Sequence, residues 1–327
     1  MEKGIYYSRW GGPEELRFGT LPERKCIDPD RIKLNSGEIL LQIRAISVNP
    51  IDWKILSGSQ KPVTLPLFPR IFGTDFAGTV YRAGAGAQKK GFSVGTRVMG
   101  LVSPLNKGSG RQWLKVRADH CLIMPESVSF EEGAALPEAC ISALLATSFS
   151  RKMKPGKALL FGASGGVGSA VLQILASRGW DVSAVCRDDQ KSALRHLGAR
   201  ECLDRYSWRD ELSGKPEWDA VVDCPAAVIR DNPSGLLKKG GVYAPVYIPD
   251  SFIPFQIIRT LLWFFTPYKT SLFIGYPSKG RMRQIQMLLQ SATFKPLIDS
   301  IHIAENIVSA VDKSRRGGVL GKIIVTF

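Results

Sequence analysis

A chain of 327 residues with 44% apolar composition is long enough for two domains with cores of their own, and too large to need disulfide staples. Its 44 Lys and Arg against 29 Asp and Glu leave a net charge of +15, which favours anionic partners (phosphorylated cofactors, acidic membrane surfaces, nucleic acid) without selecting one. Six scattered cysteines with no CxxC pair suit a reducing compartment. The opening "MEKGIYYSRWGGPEELRF" has neither a signal-type apolar stretch nor transit-peptide character, so a cytoplasmic location is expected.

In chain order, the first 125 residues read as strands and turns. "GEILLQIRAISVNP", "GTDFAGTVYRAGAG", "GTRVMGLV" and "RQWLKVRADHCLIMP" are each bounded by Gly or Pro, which predicts a partly closed β-barrel. From Ser129 the period becomes helical, in "FEEGAALPEACISALLATSF". Strands at 157–162, 181–186, 219–223 and 241–246 then alternate with helical runs, which predicts an α/β doubly wound parallel sheet with helices on both faces. The apolar "FIPFQIIRTLLWFF" (252–265) is too short to span a bilayer and is interrupted by Pro254, Gln256 and Arg259. It reads as a helix covering a substrate cleft or a subunit interface, with a surface-lying membrane helix as the alternative. "SKGRMRQIQMLLQSA" and "AENIVSAVDKSRR" are predicted amphipathic helices, and "GKIIVTF" a terminal strand. The expected organisation is a β-rich domain at 1–125 and 277–327 interrupted by a dinucleotide domain at 126–276.

The chemistry concentrates in "KALLFGASGGVGSAVLQILASRGWDVSAVCRDDQK" (157–191). Gly162, Gly165 and Gly168 lie three apart, with Gly166 added, between a strand and a helix. Such glycines allow a tight turn, approach of backbone N–H groups to a pyrophosphate, and close helix–strand packing at the positive end of a helix dipole. The second strand ends in Cys186-Arg187, where a free ribose 2'-OH is usually met by an acid. Arg187, supported by Lys191, favours a 2'-phosphate and hence NADPH; Asp188 or Asp189 serving an unphosphorylated ribose is the alternative.

The whole chain resembles the zinc-independent quinone oxidoreductase branch of the medium-chain dehydrogenase/reductase superfamily, the relatives of zeta-crystallin and of enone reductases. The matching stretches are "VNPIDWKILSG", "FGTDFAGTV", "GTRVMG", "AALPEACISALLAT", "KPGKALLFGASGGVGSAVLQ", "LGARECLDRY", "DAVVDC", "LLKKGGVY" and "GKIIV", in family order from near residue 40 to the last strand. The resemblance implies a GroES-like barrel around a Rossmann domain, and hydride transfer from NADPH to a quinone or an α,β-unsaturated carbonyl. In zinc-dependent relatives a Cys and a Gly-His-Glu unit stand where Asn49 and "GTD" (73–75) stand here, and the region of the third ligand carries Glu138 or Cys140. Asn49 and Thr74 are not competent zinc ligands, so no metal is expected.

By the same resemblance, Asn49 faces nicotinamide and substrate and donates to a developing oxyanion, unless it only forms the turn before Pro50. Lys54 binds the ribose region or stabilises charge, unless it is merely solvated, and Asp52 organises the turn. Ser142 matches a hydroxyl near the nicotinamide amide, and Ser164, Gly166 and Val167 match the pyrophosphate loop. Arg205 or, one step later, Tyr206 neighbours the 2'-phosphate. "DCPAA" (223–227) departs from a common Gly-Gly pair, Pro225 stiffening that loop. Leu320 replaces a common Arg, leaving Lys322 as the basic residue there. His120, His196 and His302 sit in no acid–base constellation. "TSLFIG" (270–275) resembles a dimer-forming edge, which makes a homodimer the expected state. The alternative function is a catalytically weak, nucleotide-regulated binding protein that uses its positive surface for RNA or acidic membrane; DNA binding is not expected.

Overall fold

The computed structural model describes residues 1–60, 67–103, 108–212, 217–228, 233–247, 269–270, 278–290 and 294–327. The apolar segment 252–265 and nearly all of "TSLFIG" lie outside them. The chain divides into two compact units, Met1–Ile141 with Tyr276–Phe327, and Ser142–Gly275.

The first unit opens with β1 (Lys3–Tyr7) and β2 (Arg17–Thr20), followed by β3 (Glu38–Val48), α1 (Pro50–Ser57), β4 (Arg70–Ile71), β5 (Asp75–Ala83) and β6 (Arg97–Leu101). "RQWLKVRADHCLIMP" is not one strand but two, β7 (Trp113–Arg117) and β8 (Cys121–Ile123), because a 3₁₀ turn at Ala118–His120 interrupts the extended chain, and β7 pairs with β3 while β8 pairs with β6. The helical run after Ser129 is likewise split at Pro137, which lacks the N–H that would carry the hydrogen-bond ladder across. It becomes α2 (Phe130–Ala135) and α3 (Pro137–Ala146). Because α2 packs on β3, β5 and β6, the unit boundary falls at Ile141/Ser142 rather than at residue 125.

In the second unit β9 (Lys157–Phe161), α4 (Gly166–Ser177), β10 (Asp181–Cys186), α5 (Lys191–His196), β11 (Glu201–Asp204), β12 (Trp218–Asp223), β13 (Leu237–Pro245) and β14 (Lys269–Thr270) follow one another. The six strands form one sheet, ordered β11-β10-β9-β12-β13-β14 and parallel throughout. This is the 3-2-1-4-5-6 order of a dinucleotide-binding sheet, and it places the turn after β9 and the end of β10 side by side at the carboxyl ends of the strands. Strands buried on both faces account for the near-continuous apolar runs "KALLF" and "DAVVD". Leu159, Phe161, Trp208, Val221 and Tyr243 belong to the core of this unit.

The chain then returns to the first unit with α6 (Lys279–Gln290), β15 (Ile298–Ile303), α7 (Ile307–Arg316) and β16 (Lys322–Thr326). A seven-stranded sheet runs β15-β16-β3-β5-β6-β8, with β7 paired to β3. Phe72, Phe76, Ile39, Leu41, Ile46 and, from α7, Ile307 and Val311 fill its core. Two registers in this sheet position the site. Ile323 lies opposite Val48, which brings Lys322 to the end of β3 beside Asn49. Ala45 lies opposite Ala77, so the antiparallel ladder carries Ser47 to the start of β5 beside Asp75.

Candidate functional site

The first unit holds a buried polar cluster built from the ends of three strands. Asn49 caps α1, and its backbone N–H donates to Asp52 Oδ2 at 2.8 Å, one half of a capping box. Its side chain is turned away from the helix. The amide Nδ2 donates to Thr74 Oγ1 at 3.0 Å and to Asp75 Oδ2 at 2.9 Å, while Oδ1 accepts from the Lys322 ammonium. Ser47 Oγ donates to Asp75 Oδ2 at 2.7 Å, the Glu138 backbone N–H donates to Asp75 Oδ1 at 2.9 Å, and Lys322 Nζ stands 3.4 Å from Asp75 Oδ2. Ser47, Asn49 and Asp75 are 0% exposed, and Asp52 and Lys322 only 4% and 6%. Burial is tolerable because almost every polar atom has a partner and one cation faces the two carboxylates. Burial, with Asp75 nearby, pushes the Asp52 carboxyl up to about 8 against the opposing pull of the Asn49 N–H and Lys322. Burial also raises the thiol of Cys140, another neighbour of Asp75.

Two expectations change here. Asn49 has both amide hydrogens engaged and no exposed surface, so in this structure it offers no donor to an oxyanion. Lys322 does not stand out as a basic residue for a cofactor phosphate, because the β16–β3 register draws it into the cluster. Among the described residues no group of three or more His, Cys, Asp or Glu could hold a metal ion. Lys54 is half-buried on α1, its ammonium 5.7 Å from the Trp53 ring centroid. Of the histidines, His196 Nδ1 lies 2.8 Å from the Ser192 carbonyl and His302 Nε2 lies 3.1 Å from Ser300 Oγ.

The second unit holds the glycine turn. Gly162 has φ +74, a conformation L side chains rarely adopt, and a Cβ there would sit 2.8 Å from Pro225 Cδ. A Cβ on Gly168 would come within 2.0 Å of the Gly162 carbonyl oxygen, so the helix can press on the turn only with glycine there. Gly165 precedes α4 without any side-chain cap, leaving the first N–H groups of a twelve-residue helix, from Gly166, Val167 and Gly168, unpaired within it. Ser164 and Ser142 are half-buried. The donor set fits a nucleotide pyrophosphate: a close-packed glycine cradle at a helix N-terminus. Pro225 packs over the turn, and next to it Ala226 is held at φ +64, where a glycine would be unstrained. Asp223 anchors that loop, accepting from the Ala227 and Val228 N–H groups and the Tyr243 hydroxyl.

At the β10 end the candidate cations do not point freely outward. Arg187 Nε and Nη2 donate to the two oxygens of Asp189 at 3.1 and 3.0 Å, and Lys191 pairs with Asp188 at 2.7 Å. The Arg205 N–H donates to the Cys186 carbonyl at 2.9 Å, which ties the β11 end to the β10 end. The Arg205 side chain is exposed with its guanidinium 5.1 Å from the Tyr206 ring, and Tyr206 is 82% exposed. The residues sequence reasoning missed are Ser47 and Asp75, with the cluster role of Lys322. The available signal was a charged residue at the head of each of two otherwise apolar strands, "DFAGTV" and "KIIV".

A barrel unit interrupted in sequence by a six-stranded parallel sheet with a glycine turn defines a medium-chain dehydrogenase/reductase. Residues 35–145 match the alcohol dehydrogenase GroES-like domain family. The chain is similar to the chloroplastic quinone-oxidoreductase homolog of Spinacia oleracea, 34% identical over 334 residues that cover 98% of this chain and 97% of that protein. It is also similar to the mitochondrial NAD(P)H oxidoreductase RTN4IP1 of Mus musculus, 26% identical over 326 residues, with 88% of this chain and 81% of that protein covered. Among solved structures, the quinone oxidoreductase from Coxiella burnetii superposes with a TM-score of 0.85 at 22% identity, covering 100% of this chain and 99% of that one. The chain belongs to the quinone oxidoreductase family of the medium-chain dehydrogenase/reductase superfamily. It is an oxidoreductase of the kind that uses NAD(P)H.

Proposed function

We propose that the protein is an NADPH-dependent reductase of quinones or α,β-unsaturated carbonyls that works without zinc. The observation that carries this reading is the buried cluster of Asn49, Thr74, Asp75 and Lys322. At the positions that resemble the metal-ligand positions of zinc-dependent relatives, two side chains are neutral oxygen and amide groups, and an ammonium supplies the local cation. Reduction of a conjugated carbonyl or a quinone needs no Lewis acid when hydrogen-bond donors or a cation meet the charge that builds on oxygen.

NADPH, when bound, supplies the hydride. The N–H groups at the head of α4 hold its pyrophosphate, and Arg187 and Arg205 select its 2'-phosphate. Lys54 is the cation of "NPIDWK" that answers charge on the acceptor oxygen. Asn49 positions it, because its side chain locks into the cluster while its backbone N–H donates to Asp52 in the first turn of the helix carrying Lys54. A homodimer in the cytoplasm belongs to the same reading, and light scattering and cell fractionation address those two parts.

The test is NADPH oxidation by purified protein against a panel of quinones and enones, before and after exhaustive chelation. Turnover unchanged by the chelator supports the proposal. Turnover with no acceptor, or activity lost on chelation and restored by zinc, overturns it.

A further inference from the structure

The fork of Arg187 that a 2'-phosphate would fill is already filled. Both Asp189 oxygens lie against Nε and Nη2, the paired geometry in which a guanidinium also takes two oxygens of a phosphate. The fork cannot hold both. Lys191 is likewise engaged by Asp188, and Asp204 on the neighbouring strand end turns Oδ1 toward the Tyr206 and Ser207 N–H groups. Arg187, Lys191 and Arg205 therefore share this end of the sheet with the carboxylates of Asp188, Asp189, Asp204 and Glu211. A 2'-phosphate meets a carboxylate in the Arg187 fork until Asp189 leaves. A ribose 2'-OH imposes no such demand, because a hydroxyl can donate to an Asp189 carboxylate that keeps its arginine.

We propose that Asp189 is a specificity-determining residue: its carboxylate occupies the Arg187 fork in the free protein as an internal stand-in for the 2'-phosphate, and it holds down the preference for NADPH over NADH. The inference rests on the reading of this site as one for NADPH. The pair is partly solvent-exposed, with side-chain exposures of 36% for Arg187 and 66% for Asp189, so the contact itself is weak and a phosphate of greater charge can displace it. What Asp189 costs the phosphorylated cofactor is the sum of that displacement and the repulsion between two anions left close together.

The experiment is titration of NADPH, NADH, 2',5'-ADP and 5'-ADP into wild type, Asp189→Asn, Arg187→Ala and the double variant, with thermal melts confirming that each is folded. Asp189→Asn is expected to tighten NADPH and 2',5'-ADP by roughly three- to tenfold while NADH and 5'-ADP do not tighten. The gain is expected to shrink clearly in the Arg187→Ala background, because without the fork only the anion–anion repulsion is left to relieve. If wild type shows no preference for 2',5'-ADP over 5'-ADP, the NADPH reading itself fails and takes the inference with it. If wild type does prefer 2',5'-ADP but Asp189→Asn gains nothing, gains equally for NADH, or gains as much without Arg187, the inference alone is overturned.

Discussion

Lys322, the first residue of the last strand, stands 3.4 Å from Asp75, the first residue of the fifth, and both are sealed from solvent. The pair is joined only because β16 and β5 flank β3 in the same sheet. A buried carboxylate deprived of its cation is costly, typically by about 3–5 kcal/mol. Lys322→Met is expected to destabilise the protein by about that much in urea unfolding, and Lys322→Met with Asp75→Asn to recover a good part of it. Equal instability of the two variants would mean that shape, not charge, dominates the cluster.

Asp52 makes stability depend on pH. Its carboxyl is raised to about 8 in the folded protein against 3.8 for an ordinary one. Between those values the folded state binds the proton more than the unfolded state does. Stability from this group is therefore full at acid pH and declines as pH rises from about 4 to about 8, with a slope of at most about 1.4 kcal/mol per pH unit. Asp52→Asn, which mimics the protonated acid, should flatten that part of the profile. Melts of both proteins from pH 5 to pH 9 read the difference.

The glycine turn separates packing from binding. Gly168→Ala puts a Cβ 2.0 Å from a backbone oxygen, and is expected to cost about 1–3 kcal/mol and most of the cofactor affinity together. Gly165→Ala, whose Cβ would be 3.5 Å from the Gly162 oxygen at an ordinary φ of −75, is expected to leave stability nearly unchanged. Nucleotide titration with thermal melts distinguishes the two.

Ala226 sits at φ +64 beside Pro225, a backbone conformation that costs an L residue about 1–2 kcal/mol and a glycine little. Ala226→Gly is expected to stabilise the protein by about 0.5–1 kcal/mol once the entropy of glycine in the unfolded chain is subtracted. A lower melting temperature would mean that the Ala226 side chain contributes packing that outweighs the strain.

Periodicity by itself was enough for most of the architecture. Alternation in "GEILLQIRAISV", the glycines 162, 165 and 168 between strand and helix, and the amphipathic spacing of the last two helices are local properties, and each became the element expected, within a few residues. The short strand β15 had no such signal, since Ile301 and Ile303 of "IDSIHI" lie on its exposed face and the strand depends on β16 beside it. The residues proposed to hold a nucleotide could also be named from the sequence, from Gly162 through Arg187 to Arg205. Their pairing could not. Whether Arg187 faces a phosphate or Asp189, and whether Lys322 reaches solvent or Asn49, depends on side chains two to 273 positions apart in sequence. Composition supplies the charges, but only strand register and burial decide which of them meet, because an ion pair is set by distance and local dielectric and neither exists until the sheet has formed.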